Sequence, residues 1–160
     1  MASKARCAVS VICGHRKLIA ETGAGREWMM LTDGFQALCR AGMGECKQSL
    51  ELALSGIERP RANGLDTPRI WQGAMRARVL RTIGGPQHLL DLEAQIAEVL
   101  ELIQRTDAKG FLPLLLLERA GLSRLRGDAD GMARDLAEAR ALFAQIGVTG
   151  WDDYARSIEA

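Results

Sequence analysis

Leu142-Phe143-Ala144-Gln145-Ile146-Gly147-Val148-Thr149-Gly150-Trp151 decides how this chain is read, because two variants of it stand upstream. Leu18-Ile19-Ala20-Glu21-Thr22-Gly23-Ala24-Gly25 is followed closely by Trp28, and Leu102-Ile103-Gln104-Arg105-Thr106-Asp107-Ala108-Lys109-Gly110 runs into Phe111. Each reads as the last turn of an apolar helix, a Gly, Asp or small-residue exit, a closing glycine and an aromatic that opens the next helix. The closing glycines Gly25, Gly110 and Gly150 lie 85 and then 40 residues apart, so the first gap holds two units of about the second's size. The pattern predicts an all-α chain built as an array of helical repeats.

Apolar spacing outlines the units on either side. A first helix over about Ala5 to Glu21 carries Ala8, Val11, Ile12, Leu18 and Ile19 on one face and has no preceding partner, which makes it a half-unit over 1–25. A pair over 26–66 follows, with Trp28, Leu31, Phe35 and Leu38 as the stripe of its first helix and Cys46, Leu50, Ala53 and Ile57 as that of its second. Arg59 to Asp66 is expected as the chain's one true loop. In the pair over 67–110, Thr67 is the expected cap and Pro68 the first residue of a helix with Trp71, Ala74, Met75 and Val79. Its partner carries Leu92, Ile96, Val99 and Ile103. The pair over 111–150 opens on a helix with Pro113 in its first turn, apolar all round at Leu114 to Leu117 and hence the most central element. Its mate shows Met132, Leu136, Ala139, Phe143 and Ile146, and a short capping helix closes the chain over 151–160. About seven helices plus this short one are expected.

The composition suits such a chain. Of 160 residues, 48% are apolar, 26% charged and only four are proline, which excludes disordered and collagen-like chains. Lys4 and Arg6 precede the apolar run Ala8 to Cys13, but Gly14-His15-Arg16-Lys17 stops it too early for a signal peptide. The run Phe111 to Leu117 falls well short of the roughly 20 residues of a membrane span. The expected location is cytoplasmic, without membrane contact. Charge is uneven: residues 1–86 hold 13 Lys/Arg against 7 Asp/Glu, residues 87–160 hold 8 against 13. Such a division reads either as solvated helix faces or as a basic site for an acidic partner.

No catalytic chemistry is legible. There is no phosphate-binding Gly-x4-Gly-Lys-Ser/Thr loop, and Gly23-Ala24-Gly25 lacks the third glycine and preceding strand of a dinucleotide fingerprint. Gly121-Leu122-Ser123 continues into Arg124-Leu125 inside a helix, so it is no nucleophile elbow. Cys7, Cys13, Cys39 and Cys46 form no Cys-x2-Cys pair and read as small buried thiols, while His15 reads as a core-edge residue and His88 as part of a helix start. Asp128, Asp130, Asp152 and Asp153 are explained by capping and the helix dipole. No cofactor, metal or catalytic residue is expected.

Trp28-x2-Leu31-x3-Phe35, a glycine turn and a second helix with small residues such as Ala53 resemble the tetratricopeptide repeat, although the units here are 40 to 43 residues long. Glu118-Arg119-Ala120-Gly121-Leu122-Ser123-Arg124-Leu125-Arg126-Gly127-Asp128, then Ala137 to Gly147, resemble the C-terminal tetratricopeptide tails of bacterial signalling proteins that carry a class III nucleotide cyclase domain, a STAND-type ATPase domain, or both. The resemblance implies a right-handed antiparallel helix-pair solenoid and a non-catalytic regulatory or protein-binding arm. Any cyclase or ATPase activity would reside in a domain absent from this chain.

In such arrays the first helix of each pair lines the groove that receives a partner. The resemblance therefore points to Gln36 and Arg40, to Arg69, Gln72 and Arg76, and to Arg119 as partner-binding residues. Arg69, Gln72 and Arg76 share one helical face at i, i+3 and i+7, and guanidinium groups so placed suit carboxylates or phosphates, so a protein or peptide partner with acidic groups is expected. The alternative is nucleic-acid or acidic-ligand binding through the basic stretch Arg59, Arg61, Arg69, Arg76, Arg78 and Arg81. Near-zero net charge and aromatics committed to helix cores speak against nucleic acid. The unpaired first helix leaves open a homodimer in which it buries its stripe against a second copy.

Overall fold

The computed structural model describes residues 14, 17–19, 21–22 and 26–159, and of residues 26–30 the backbone alone. Among the described residues the chain forms seven α-helices: α1 (Arg26–Gly42), α2 (Cys46–Ala62), α3 (Asp66–Ile83), α4 (Leu89–Thr106), α5 (Leu112–Leu125), α6 (Ala129–Gln145) and α7 (Asp152–Glu159). Short 3-10 turns at Pro86–His88 and Lys109–Phe111 lead into α4 and α5. No strand occurs among the described residues, and the fold is all-α. Of the helix expected over Ala5 to Glu21, the described positions Gly14, Lys17 to Ile19 and Glu21 are helical, with Ile19 buried and Leu18 exposed. The rest of that segment, with Cys7, Cys13 and His15, lies outside the described residues, as do the Trp28 side chain and any dimer contact of that helix.

Consecutive helices pack on each other from α1 through α6, and the odd-numbered helices also touch in series, α1 on α3, α3 on α5 and α5 on α7. Each of α2 and α4 thus leans on two members of an odd row. The helix exits keep the same step. Odd helices end at Gly44, Gly84 and Gly127, and even ones at Gly64, Asp107 and Gly147, all with positive φ between 54° and 81°. These positions are 40 and 43 residues apart in the odd series and 43 and 40 in the even. A left-handed residue ends a helix by turning its last carbonyls inward, and glycine adopts it without a Cβ clash. The buried positions of α4, Leu92, Gln95, Ile96, Val99, Leu102 and Ile103, also map at a shift of 40 onto Met132, Asp135, Leu136, Ala139, Leu142 and Phe143 of α6.

Asp107 is the one non-glycine with positive φ among the described residues. Its ion pair with Lys109 is about four-fifths exposed on both sides and contributes little. Asp107→Gly is therefore expected to raise stability by about 0.5–1 kcal/mol through relief of the left-handed backbone. A thermal melt reads this directly, and a fall in Tm would mean that the carboxylate matters more than the backbone.

α5 explains the leucine run. Leu115 and Leu122 join a core with Ile70, Ala77 and Leu80 of α3 and Ile96 and Val99 of α4. Leu114, Leu117 and Ala120 face a second core with Leu136, Ala139 and Phe143 of α6 and Ala155 and Ile158 of α7. A helix with cores on opposite sides has no wet face for most of its length.

Three local expectations are corrected. The loop placed over Arg59 to Asp66 is helical as far as Ala62, with Pro60 buried inside α2 and only Asn63 to Leu65 outside. Proline in the last turn removes one hydrogen bond, and its carbonyl still accepts from Asn63 and Leu65 N–H groups. Thr67 does not cap α3: the helix begins at Asp66 with Leu65 as the residue before it, so Pro68 sits in the first turn, where the missing N–H has no intrahelical partner anyway. Phe35 is 45% exposed, whereas Asp33, Gly34, Gln36 and Ala37 form the buried face of α1. Small residues decide that face, since a Cβ at Gly34 would lie 2.6 Å from Met75 Cβ of α3.

Candidate functional site

The arginines read as a groove and as a basic face are spoken for within the chain. Arg40 donates to Glu45 at 2.6 Å. Arg69 meets Asp66 at 3.4 Å and Glu98 at 3.2 Å, and Arg61 also pairs with Glu98. Arg105 reaches back to Asp66 at 3.0 Å, and Arg59 lies 3.8 Å from buried Asp33. Gln36 and Gln72 are buried, Gln72 completely. The six groove residues therefore do not make one open face: two glutamines sit inside, and the four arginines hold neighbouring elements. Arginine stems fill space between helices while the fork finds an acceptor, so a polar residue off the apolar stripe is not thereby free.

Two of these contacts are register equivalents. Arg76 of α3 donates to Gln95 of α4 at 2.7 Å, and Arg119 of α5 grips Asp135 of α6 with two bonds of 2.7 Å. The arginines are 43 residues apart and their acceptors 40. Hydrogen bonds donated to the Asp135 carboxylate lead the causes that raise the Arg119 guanidinium above its ordinary value.

A larger cluster joins α3, α5 and α7. Glu118 is 1% exposed and accepts from Arg78 Nε at 2.8 Å, Arg81 Nε at 3.0 Å and the Tyr154 hydroxyl at 2.6 Å. Arg81 donates to the Tyr154 oxygen as well. The Arg78 guanidinium lies 3.9 Å above the Tyr154 ring and 5.3 Å from the Trp151 ring, within cation–π reach of both. Burial, reinforced by the Glu118 charge, pushes the Tyr154 phenol up despite the two arginines. Sequence reading missed Glu118 and Tyr154. The available signal was a carboxylate placed directly after four leucines in a helix with no wet face, which must find cations.

Two clefts open beside the even-numbered helices. One of about 220 Å³ has Leu50, Glu51 and Leu54 of α2 on one wall and His88 and Asp91 on the other, with Arg76 and Leu80 of α3 at its base. The other, about 460 Å³, lies among α4, α5 and α6 over Ile96, Leu100 and Leu122, and is rimmed by Arg119, Arg126 and Arg134. Arg126 is paired with Glu93 at 2.6 Å. Among the described side chains, Arg134 is the only arginine with no acceptor. His88 stands at the start of α4, and Asp128 accepts the Gly131 N–H at 2.8 Å as the cap of α6. Cys39 and Cys46 are free thiols: Cys39 is half-buried, which raises its thiol, whereas Cys46, expected on the buried stripe of its helix, is exposed at the start of α2.

Acid should loosen the ion-pair network. Burial raises the Glu98 carboxyl, but hydrogen bonds and charge from Arg61 and then Arg69 outweigh it and hold it below its ordinary 4.5. Hydrogen bonding and charge from Arg126 lower exposed Glu93 in the same direction. A carboxyl depressed on folding contributes stability that is present above its unfolded value and lost as pH falls through the folded one. Urea midpoints are expected to hold from neutrality to about pH 5 and to fall below about 4.5; a midpoint that rises on acidification to about pH 3 would contradict this.

No protein-family model matches the chain, and no curated protein or solved structure matches it. No helix among the described residues is long and apolar enough to cross a membrane.

Proposed function

We propose that the chain is a tetratricopeptide-like, right-handed solenoid of antiparallel helix pairs that acts as a non-catalytic protein-binding and regulatory module. The observation that carries this reading is the repeated register: positive-φ exits at 40- and 43-residue steps in both helix series, together with serial contacts along the odd row. In a solenoid of pairs each unit buries its apolar face only against its neighbours, which leaves an extended surface for a partner. The resemblance of residues 118–128 and 137–147 to bacterial signalling tails supports a place beside a cyclase or STAND-type ATPase domain in the cytoplasm.

The internal pairing of the Arg59 to Arg81 stretch shifts the partner-facing surface away from those arginines. Leu54 and Leu90 are 45% and 76% exposed on α2 and α4, and Arg134 is free on α6, so the even-numbered helices offer both apolar and cationic contacts. Affinity purification with the wild-type chain and with a Leu54→Lys, Leu90→Lys, Arg134→Glu variant tests the reading. All three changes fall on exposed side chains and leave the cores intact. A partner retained by the wild type and lost by the folded variant is the expected result. Identical retention by both would contradict this surface.

A further inference from the structure

The last odd position, α7, is occupied by a helix of only eight residues held by an unusual slot. Its contacts include Trp151 stacked on Phe143 at 5.5 Å, Tyr154 over Arg78, and Ala155 and Ile158 in the core with Leu117 and Leu136, with Arg124 donating to the Ile158 carbonyl at 3.1 Å and Arg140 paired with Glu159 at 2.9 Å. The slot beneath it is not apolar throughout. It is floored by Glu118 between Arg78 and Arg81, two guanidinium groups for one carboxylate, and the Tyr154 hydroxyl and ring complete that set. An end cap needs only an apolar underside, whereas a slot that orients a phenol between a carboxylate and two arginines reads side-chain identity.

α7 has little helical order of its own apart from these contacts. Eight residues are too few to hold a helix in water, so its order depends on docking. The chain enters it through Gly147 to Gly150, exposed throughout and with positive φ at both glycines. Such a segment belongs to the low-stability end of a fold, able to leave without global unfolding.

Building on the protein-binding reading, we propose that the α3–α5 slot is a recognition site for a short partner helix and that α7 is its built-in competitor. The partner is defined by what α7 presents: an aromatic, a tyrosine and an aliphatic residue at i, i+3 and i+7, as in Trp151, Tyr154 and Ile158, with acidic residues in the first turn, as in Asp152 and Asp153. The incoming tyrosine takes the Glu118 and Arg81 hydrogen bonds and the face of Arg78, and α7 swings out on its glycine hinge. Because the slot is open only in the undocked fraction, apparent affinity is reduced by that fraction, which gives the module a threshold.

The test is a fluorescence titration of the full chain with a labelled peptide of residues 148–160. Ile158→Asp in the protein, not in the peptide, undocks α7 without touching Arg78, Arg81 or Glu118. This variant is expected to bind the peptide at least about tenfold more tightly than the wild-type chain, and to lose binding when the peptide carries Tyr154→Ala. The milder Tyr154→Ala protein should show the same gain, so the proposal does not rest on one variant's folding. Folded variants that bind no better than wild type, or that bind a scrambled peptide equally, would overturn it, as would a tightly associated dimer that exchanges α7 between two copies. If peptide binding fails while the Leu54, Leu90 and Arg134 substitutions still abolish partner capture, the slot assignment falls and the protein-binding reading stands.

Discussion

Glu118→Ala is expected to cost about 3–5 kcal/mol, a large share of the roughly 5–15 kcal/mol that holds a domain of this size together. The carboxylate is 1% exposed and is the common acceptor of two arginines whose side chains are only 14% and 17% exposed. Its removal leaves two guanidinium groups in a space closed by Tyr154, with no anion and limited access to water. The loss stems from orphaned cations and not from a favourable ion pair as such, because desolvating all three groups already offsets most of their attraction. Replacing Glu118, Arg78 and Arg81 together with methionine, and Tyr154 with phenylalanine so that no buried hydroxyl loses its partners, is therefore expected to recover most of the stability that Glu118→Ala loses. Urea unfolding of the two variants decides the matter: a single variant within about 1 kcal/mol of wild type would show that the arginines escape to solvent.

Leu117→Ala is expected to cost about 2–5 kcal/mol. Leu117 is 0% exposed and lies where α5 meets both α6 and α7, among Leu136, Ala139 and Ile158. Deleting its branched end removes apolar burial and leaves a cavity whose walls belong to three helices, which limits collapse. A loss near 1 kcal/mol in denaturant unfolding would mean that α7 slides in to fill the space and that the second core is softer than its packing indicates.

Helices were legible in this sequence, and the position of α5 followed from its leucines alone, because an apolar circumference requires neighbours on more than one side. The division of charge was visible but its meaning was not. The basic first half and acidic second half meet across the fold, Arg61 and Arg69 at Glu98, and Arg78 and Arg81 at Glu118, while one pair, Arg105 at Asp66, runs the other way. A sequence count cannot distinguish solvated charges from charges that pair after folding. The face of α1 was misassigned for a related reason. Hydrophobicity ranks Phe35 above Gly34, yet the close approach of α1 to α3 needs the residue without a side chain, and Phe35 is displaced to the rim against Trp71 at 5.4 Å. The placement of two groove residues was hidden for the same reason, since Gln36 and Gln72 look solvent-facing by type and are packed inside.

Amide hydrogen exchange on wild-type and Leu117→Ala chains tests most directly whether the molecule is an array held by neighbour contacts. α7 is expected to open in the wild type well before α3 to α6, and Leu117→Ala to speed exchange strongly in α5, α6 and α7, less in α3, and hardly at all in α2. Uniform acceleration across every helix, with α7 exchanging only on global unfolding, would contradict it.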